Sequence, residues 1–410
     1  AQPPPAAAPA PAPAGPTLVL PPEETAEAET PADSPDVLSR GLKDQRTATE
    51  STGIGGYAEL HYNLKNVGED DEYAEIDMHR LVLFVTHNFS PELRFYSEFE
   101  VEHALVGDGK PGEVGIEQAY VDYLLAGDAL GVRAGIVLVP MGIINQWHEP
   151  PIFHGVERPN VDKVIIPSTW REGGVGIFGE PSEGLRYELY VTGGLDAGSF
   201  RARDGIRAGR QKVAEASASG PAVTGRLEYE PTLGLIAGVA GYYGQAGPNA
   251  ELFDTDGGEL ELDVPVLGVS GDVRGRYQGL EARGTVVFFS IGETDELRGA
   301  ADADGNDLAI DVGSQLYGAY GELAYDLLFT SATEQQLLPF VRVERYDTMA
   351  KIEGRDETAV DEAFGITELV FGLSYRPHPS VVFKGDYILK TPDGDADTVG
   401  QLDLGVGAMF

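Results

Sequence analysis

The chain has 410 residues with 53 glycines, 27 prolines and no cysteine, and its 29 lysines and arginines against 67 aspartates and glutamates give a formal charge of −38. The lack of cysteine excludes a disulfide framework, a thiolate metal site and a cysteine nucleophile. So acidic a chain offers no counterion-releasing patch, which excludes nucleic acid as a partner. Beyond the Pro/Ala-rich N-terminal region the longest uncharged stretch, 232–250, is broken by Gly234, Gly238, Gly241, Gly244 and Pro248. No α-helical membrane span, which needs about 20 mostly apolar residues, is present.

Residues 1–15 contain only Ala, Pro, Gln and Gly, and 22–36 set Glu23, Glu24, Glu27, Glu29 and Asp33 among Ala, Thr and Pro. Such a composition buries too little apolar surface to offset its ordering entropy. Residues 1–50 are therefore expected to be a disordered periplasmic tail, with 51–410 as the folded unit. A first residue that is not Met fits a processed chain whose signal peptide has been removed.

From Ile54 onward the hydrophobic period is two. In the first such stretch Ile54, Ala58, Leu60, Tyr62 and Leu64 oppose Tyr57, Glu59, His61 and Asn63, the alternation of a strand with unlike faces. Turn residues divide the rest into strands expected at 54–64, 75–89, 92–105, 114–127, 130–139, 173–180, 184–194, 222–231, 233–244, 258–272, 275–291, 314–329, 336–348, 363–377, 380–391 and 400–410. Short and long connections alternate between them. Sixteen long strands sorted in this way predict an all-β protein, a 16-stranded antiparallel transmembrane β-barrel with periplasmic turns and extracellular loops. A soluble sandwich would use strands of about 5–6 residues and turn its charged face outward. An even strand number puts both chain ends on the short-turn side, here the periplasm. The last strand sets Leu402, Leu404, Val406, Ala408 and Phe410 against Asp403, Gly405, Gly407 and Met409. An amphipathic last strand ending in Phe410 looks like the signal read by the bacterial barrel-assembly machinery.

Four segments carry a further resemblance: Val132–Gly142; Leu262–Val269 followed by Gly279–Gly284; Leu338–Thr348; and Phe383–Tyr387. In this order, over 54–410, the chain resembles the phosphate-selective porin O/P family. The resemblance implies a homotrimeric outer-membrane channel for phosphate or other anions, embedded in lipid and lipopolysaccharide. It also implies a third loop folded into the pore. That loop, 140–172, holds Trp147, His148, Glu149, Arg158, Asp162, Lys163, Trp170 and Arg171, with five prolines. Proline-stiffened loops of this length usually carry function, and these residues are expected to form the constriction.

Inward strand positions bring charge to the lumen, with Arg94, Arg133, Arg186, Arg283, Arg342 and Lys384 among the bases and Glu98 and Glu100 among the more numerous acids. Fixed charges of this kind solvate a pore and set its selectivity. The acid majority predicts a weak cation preference that fades at high salt, whereas the resemblance implies anions. The seven histidines show no fixed ligand spacing, and no Ser–His pair marks a barrel lipase, so neither a cofactor nor an enzyme is expected. A passive channel for small hydrophilic solutes or ions is the leading reading. The alternative is a structural outer-membrane barrel with a plugged lumen, its N-terminal tail contacting envelope partners.

Overall fold

Alternation of apolar and polar residues leaves each strand one face for an apolar surround and one for a polar interior. The computed structural model, which describes residues 51–254, 256–302, 306–354, 364–394 and 396–410, satisfies both at once. Sixteen strands run in chain order: β1 (Ser51–Lys65), β2 (Tyr73–Asn88), β3 (Leu93–Glu102), β4 (Val114–Leu124), β5 (Gly131–Leu138), β6 (Arg171–Ser182), β7 (Leu185–Thr192) and β8 (Ala222–Thr232). They continue with β9 (Leu235–Gln245), β10 (Pro265–Tyr277), β11 (Leu280–Ile291), β12 (Gln315–Tyr325), β13 (Gln336–Lys351), β14 (Gly365–His378), β15 (Val381–Pro392) and β16 (Val399–Met409). Each pairs with its chain neighbours, and β1 pairs antiparallel with β16 to close the barrel. Closure leaves no free edge strand, so each strand finds a ladder partner on both sides within the wall.

The outer face is apolar. Ile54, Leu83, Val175, Leu189, Val239, Val286, Leu323, Phe371 and Leu404 all stand exposed on it. Towards the short-turn rim it ends in exposed aromatics, Phe89, Tyr123, Tyr229, Tyr277, Tyr325 and Phe329, residue types that favour a membrane–water boundary. Among the described residues no helix is long and apolar enough to cross a membrane. On the inner face, Tyr57, Glu59, His61 and Asn63 of β1 are all buried, as the alternation requires.

Most strand boundaries lie within about four residues of the sequence expectation, and two departures matter for the barrel. The strand expected at 258–272 is Pro265–Tyr277, and the hairpin turns at Gln278-Gly279 rather than Val273-Arg274. Gln278 and Gly279 have φ of 48° and 81°, the left-handed pair that a two-residue hairpin needs to match strand twist. Val273 and Arg274 continue the ladder opposite Gly284 and Arg283. β6 begins at Arg171, so Arg171 and Glu172 belong to the wall rather than to the loop. The expected tail, 1–50, lies outside the described residues.

The long connections close much of the barrel's other end. Val139, Met141, Val161, Ile165, Ile166 and Trp170 of the third loop pack with Leu195, Phe200 and Ile206 of the fourth connection. Leu252 and Val264 of the fifth, and Leu297, Ile310 and Val312 of the sixth, complete this apolar cluster over β8–β13.

Candidate functional site

The segment between β5 and β6 enters the lumen and touches the wall almost all the way round. A 3-10 turn at Pro150–Ile152 packs on β1, β15 and β16, and a π-helical turn at Val161–Ile165 packs on β11, β12 and β13. A loop buried among strands must find partners for its backbone, and wall side chains supply them. The Val156 N–H donates to Asp386 Oδ2 at 2.6 Å, and that of Val161 to Glu344 Oε2 at 3.1 Å. In return Lys384 Nζ donates to Gly155 O at 2.7 Å, Arg376 to Pro151 O at 2.8 Å, and Ser374 to His154 O at 2.6 Å. Inward acids and bases of the wall thus hold the loop as well as solvating the lumen.

Two buried histidines pin the loop at separate places. His148 faces Glu117 at 3.2 Å and Glu98 at 3.3 Å through Nε2, and donates from Nδ1 to Asn145 O at 3.2 Å. Burial works against the charged imidazole, but Glu117 and Glu98 outweigh it and raise His148 to about 9. His154 sits between Glu322 at 2.7 Å and Glu281 at 2.9 Å. The two histidines therefore serve different walls, β3–β4 and β11–β12.

The other candidate residues of the loop are distributed as follows. Glu149 is buried; Asp162 is fully buried, and burial pushes its carboxyl up to about 7. Trp170 lies in the apolar cluster, against Tyr242, with its indole N–H donating to Glu172. Trp147 lines a cavity of about 350 Å³ on the short-turn side. Arg158, Lys163 and Arg171 line a second, of about 280 Å³, on the long-loop side. The cavities share no lining residue, and the fully buried Glu98, Glu117 and His148 lie in the layer between them.

Of the candidate lumen charges, Arg94 and Arg133 line the short-turn cavity, as does Arg186, which pairs with Glu228 and Glu230. Arg133 grips Asp122 through two hydrogen bonds of 2.7 and 2.8 Å and stacks over Tyr120, 3.9 Å from the ring centroid. Glu100 lines the long-loop cavity and pairs with Arg80 at 3.4 Å. Arg283 pairs with Glu322 at 3.1 Å, and Arg342 with Glu344 at 2.7 Å. Lys384 lies over the Phe153 ring, 3.7 Å from its centroid. Phe410 is exposed, and its backbone exchanges two 2.9 Å hydrogen bonds with Gly56.

Sequence reasoning overlooked the fourth connection. The long-loop cavity is lined by Arg80, Arg158, Lys163, Arg171, Arg207, Arg210 and Lys212 against Glu59, Glu100, Glu102, Glu113 and Glu157, seven bases to five acids. Arg207 donates to Lys163 O at 2.6 Å, and Arg210 to the carbonyls of Ser168 and Arg207. These are neutral partners. Burial, with Arg207 and Arg171 close by, lowers Arg210 to about 9. The signal was present as Arg201, Arg203, Arg207, Arg210 and Lys212 within one short run of a strongly acidic chain.

No family model matches the chain. An uncharacterized protein of Aquifex aeolicus (strain VF5) is 33% identical over 349 residues, covering 83% of this chain and 76% of that protein. Among solved structures, the outer membrane channel DcaP of Acinetobacter baumannii matches with a TM-score of 0.57 at 12% identity, over 89% of this chain and 98% of its own. Salmonella typhi OmpF, solved in complex with daunomycin, gives 0.57 at 12%, over 88% and 98%. The trimer form of in-vitro folded OmpT, an outer membrane protein of Vibrio cholerae, gives 0.50 at 10%, over 88% and 100%. These likenesses establish a shared 16-stranded barrel fold.

Proposed function

The chain belongs to one family with the Aquifex aeolicus protein, and we propose that it is an outer-membrane channel for small hydrophilic anions, inorganic phosphate among them. The observation that carries this reading is the basic lining of the long-loop cavity, seven bases to five acids in a chain of charge −38. A charged passage with low-dielectric walls concentrates its counterions, and the residues nearest the narrowest point weigh more than the outer vestibule. Over the whole lumen the acids are more numerous, which favours cations. Many of them are engaged, however, as Asp122 is by Arg133, Asp272 by Arg226 and Glu344 by Arg342. Arg207 and Arg210 rest instead on neutral carbonyls.

The apolar outer face and its aromatic rim support a seat in lipid, with lipopolysaccharide around the long loops. The likeness to trimeric OmpT supports a homotrimer. The exposed Phe410 at the end of β16 supports recognition by the barrel-assembly machinery, with both chain ends in the periplasm. The role is passive passage rather than catalysis. Reversal potential in a KCl gradient across a planar bilayer tests the reading. Anion selectivity is expected, weakening as the Debye length falls from about 10 Å at 0.1 M salt to about 3 Å at 1 M. Phosphate is expected to reduce the chloride current, and Arg207→Ala/Arg210→Ala to relieve that block. A cation-selective reversal potential would overturn the reading.

A specific observation favours a second function, a structural barrel whose lumen is plugged. It is the fully buried Glu98–His148–Glu117 layer between the two cavities. Folded barrels that carry no current at any voltage would favour this second reading.

A further inference from the structure

We propose that His61, His79 and Glu157 form a binding site for a divalent transition-metal ion of the zinc class, open to the long-loop cavity. The local fold of β1 and β2 assembles it. A register shift between Glu59 and His61 inserts an extra residue on β2. Two sequence neighbours, His79 and Arg80, consequently both line the cavity. Such bulges commonly re-aim side chains beside functional sites. The His61 and His79 rings stack with centroids 4.5 Å apart and planes 12° from parallel. Glu157 reaches them from the third loop, its Oε1 lying 3.2 Å from His61 Nδ1.

One ligand atom from each of the three residues lies within 4.8 Å of the others. Ligands around tetrahedral zinc stand about 3.3 Å apart, so the site closes on an ion by roughly an ångström or more. Two imidazole nitrogens and one carboxylate oxygen, with a fourth position facing the cavity, suit zinc or its neighbours. They do not suit calcium, which takes six to eight oxygens.

The surrounding carboxylates provide the supporting contacts such a site needs. Glu59 Oε2 lies 3.1 Å from His61 Nε2, leaving Nδ1 as the coordinating nitrogen. Asp77 Oδ2 lies 3.3 Å from His79 Nδ1, so Nε2 is the nitrogen that would take the ion. A carboxylate on the far nitrogen fixes the tautomer and raises ligand basicity. Asp77 is itself held by His103 at 2.8 Å. The nearest cation on the wall, Arg80, is paired with Glu59 and Glu100, each at 3.4 Å. Loaded, the site would tie β1 and β2 to the third loop beside Arg158.

Titration calorimetry of the full folded chain in detergent micelles, with ZnCl2 in phosphate-free buffer, tests the proposal. One zinc per barrel is expected, with no matching CaCl2 isotherm. His61→Ala and His79→Ala should each weaken binding at least about tenfold, and Asp77→Asn by about 10–100-fold, while His87→Ala at the opposite rim should not. Zinc K-edge fine structure on the unsubstituted protein does not depend on any variant folding. Two imidazole nitrogens and a carboxylate oxygen at about 2.0–2.2 Å are expected there. Absence of saturable zinc binding, binding unchanged in the His61→Ala/His79→Ala double variant, or a shell of oxygens alone would overturn the proposal. None of these readouts uses a current. A barrel that conducts nothing can still bind zinc, and a conducting one can fail to.

Discussion

At the residue scale the clearest lever is His148. A base raised from 6.5 to about 9 on folding contributes stability fully present below 6.5 and lost as pH rises through 9. The third loop is therefore expected to loosen above pH 9, seen as faster hydrogen exchange over 145–150 with the wall strands unchanged. His148→Ala leaves Glu98 and Glu117 buried without their shared cation. Breaking a buried pair in this way costs about 3–5 kcal/mol, measurable as a lower urea midpoint in folded micelles. Strand parity alone places Glu98, Arg133, Arg342 and Lys384 inward, so that much was legible in the sequence. Which group each meets was not. Lys384 reaches the carbonyl of Gly155 and Arg376 that of Pro151, contacts between distant segments that no local pattern encodes.

At the element scale, alternation and turn residues located sixteen strands, and the proline-rich third loop stood out by its length. The shift of β10 shows where this reasoning gives way. The apolar residues of 258–272 continue the alternation out of the preceding connection, and only the left-handed pair Gln278-Gly279 marks the true hairpin. Small residues on the inner wall explain how the loop fits. A Cβ on Gly407 would lie 2.3 Å from Pro150 Cβ, and one on Gly318 2.9 Å from Val161 Cγ1. Gly407→Ala should push the Pro150 turn away from β16. Overpacking of this kind costs about 1–3 kcal/mol, so amide exchange over 150–156 should accelerate by about five- to a hundredfold. The same exchange rate in Gly407→Ala as in the unsubstituted protein would show that the turn does not bear on the wall.

For the whole molecule, closure is the decisive property, and it depends on the first and last strands meeting. β1 pairs with β16 from Tyr57–Met409 to Lys65–Gln401, and Gly56 and Phe410 add the last two hydrogen bonds at the rim. Deleting Phe410 removes this rung and an exposed aromatic together. The yield of heat-modifiable, folded barrel in the outer membrane should fall, with less effect on in-vitro folding into detergent. Equal losses in both settings would mean that the residue acts through the rung alone. The closed sheet was legible because every strand repeats one pattern. The partly capped mouth was not, because the fourth, fifth and sixth connections that join the third loop in forming it look individually like ordinary polar loops.

That cap has a consequence for how the chain comes apart. The apolar cluster of Val161, Trp170, Phe200, Leu252, Leu297 and Ile310 is a water-excluding core of the kind found in soluble domains, mounted on a cylinder whose outer surface is itself apolar. The two layers answer to different solvents. Urea and heat weaken the first directly, whereas the second is held by backbone bonds that water hardly reaches. Unfolding should accordingly proceed in two steps. In a Trp147→Phe variant, Trp170 fluorescence would report an early melting of the core, and far-ultraviolet dichroism a later collapse of the cylinder.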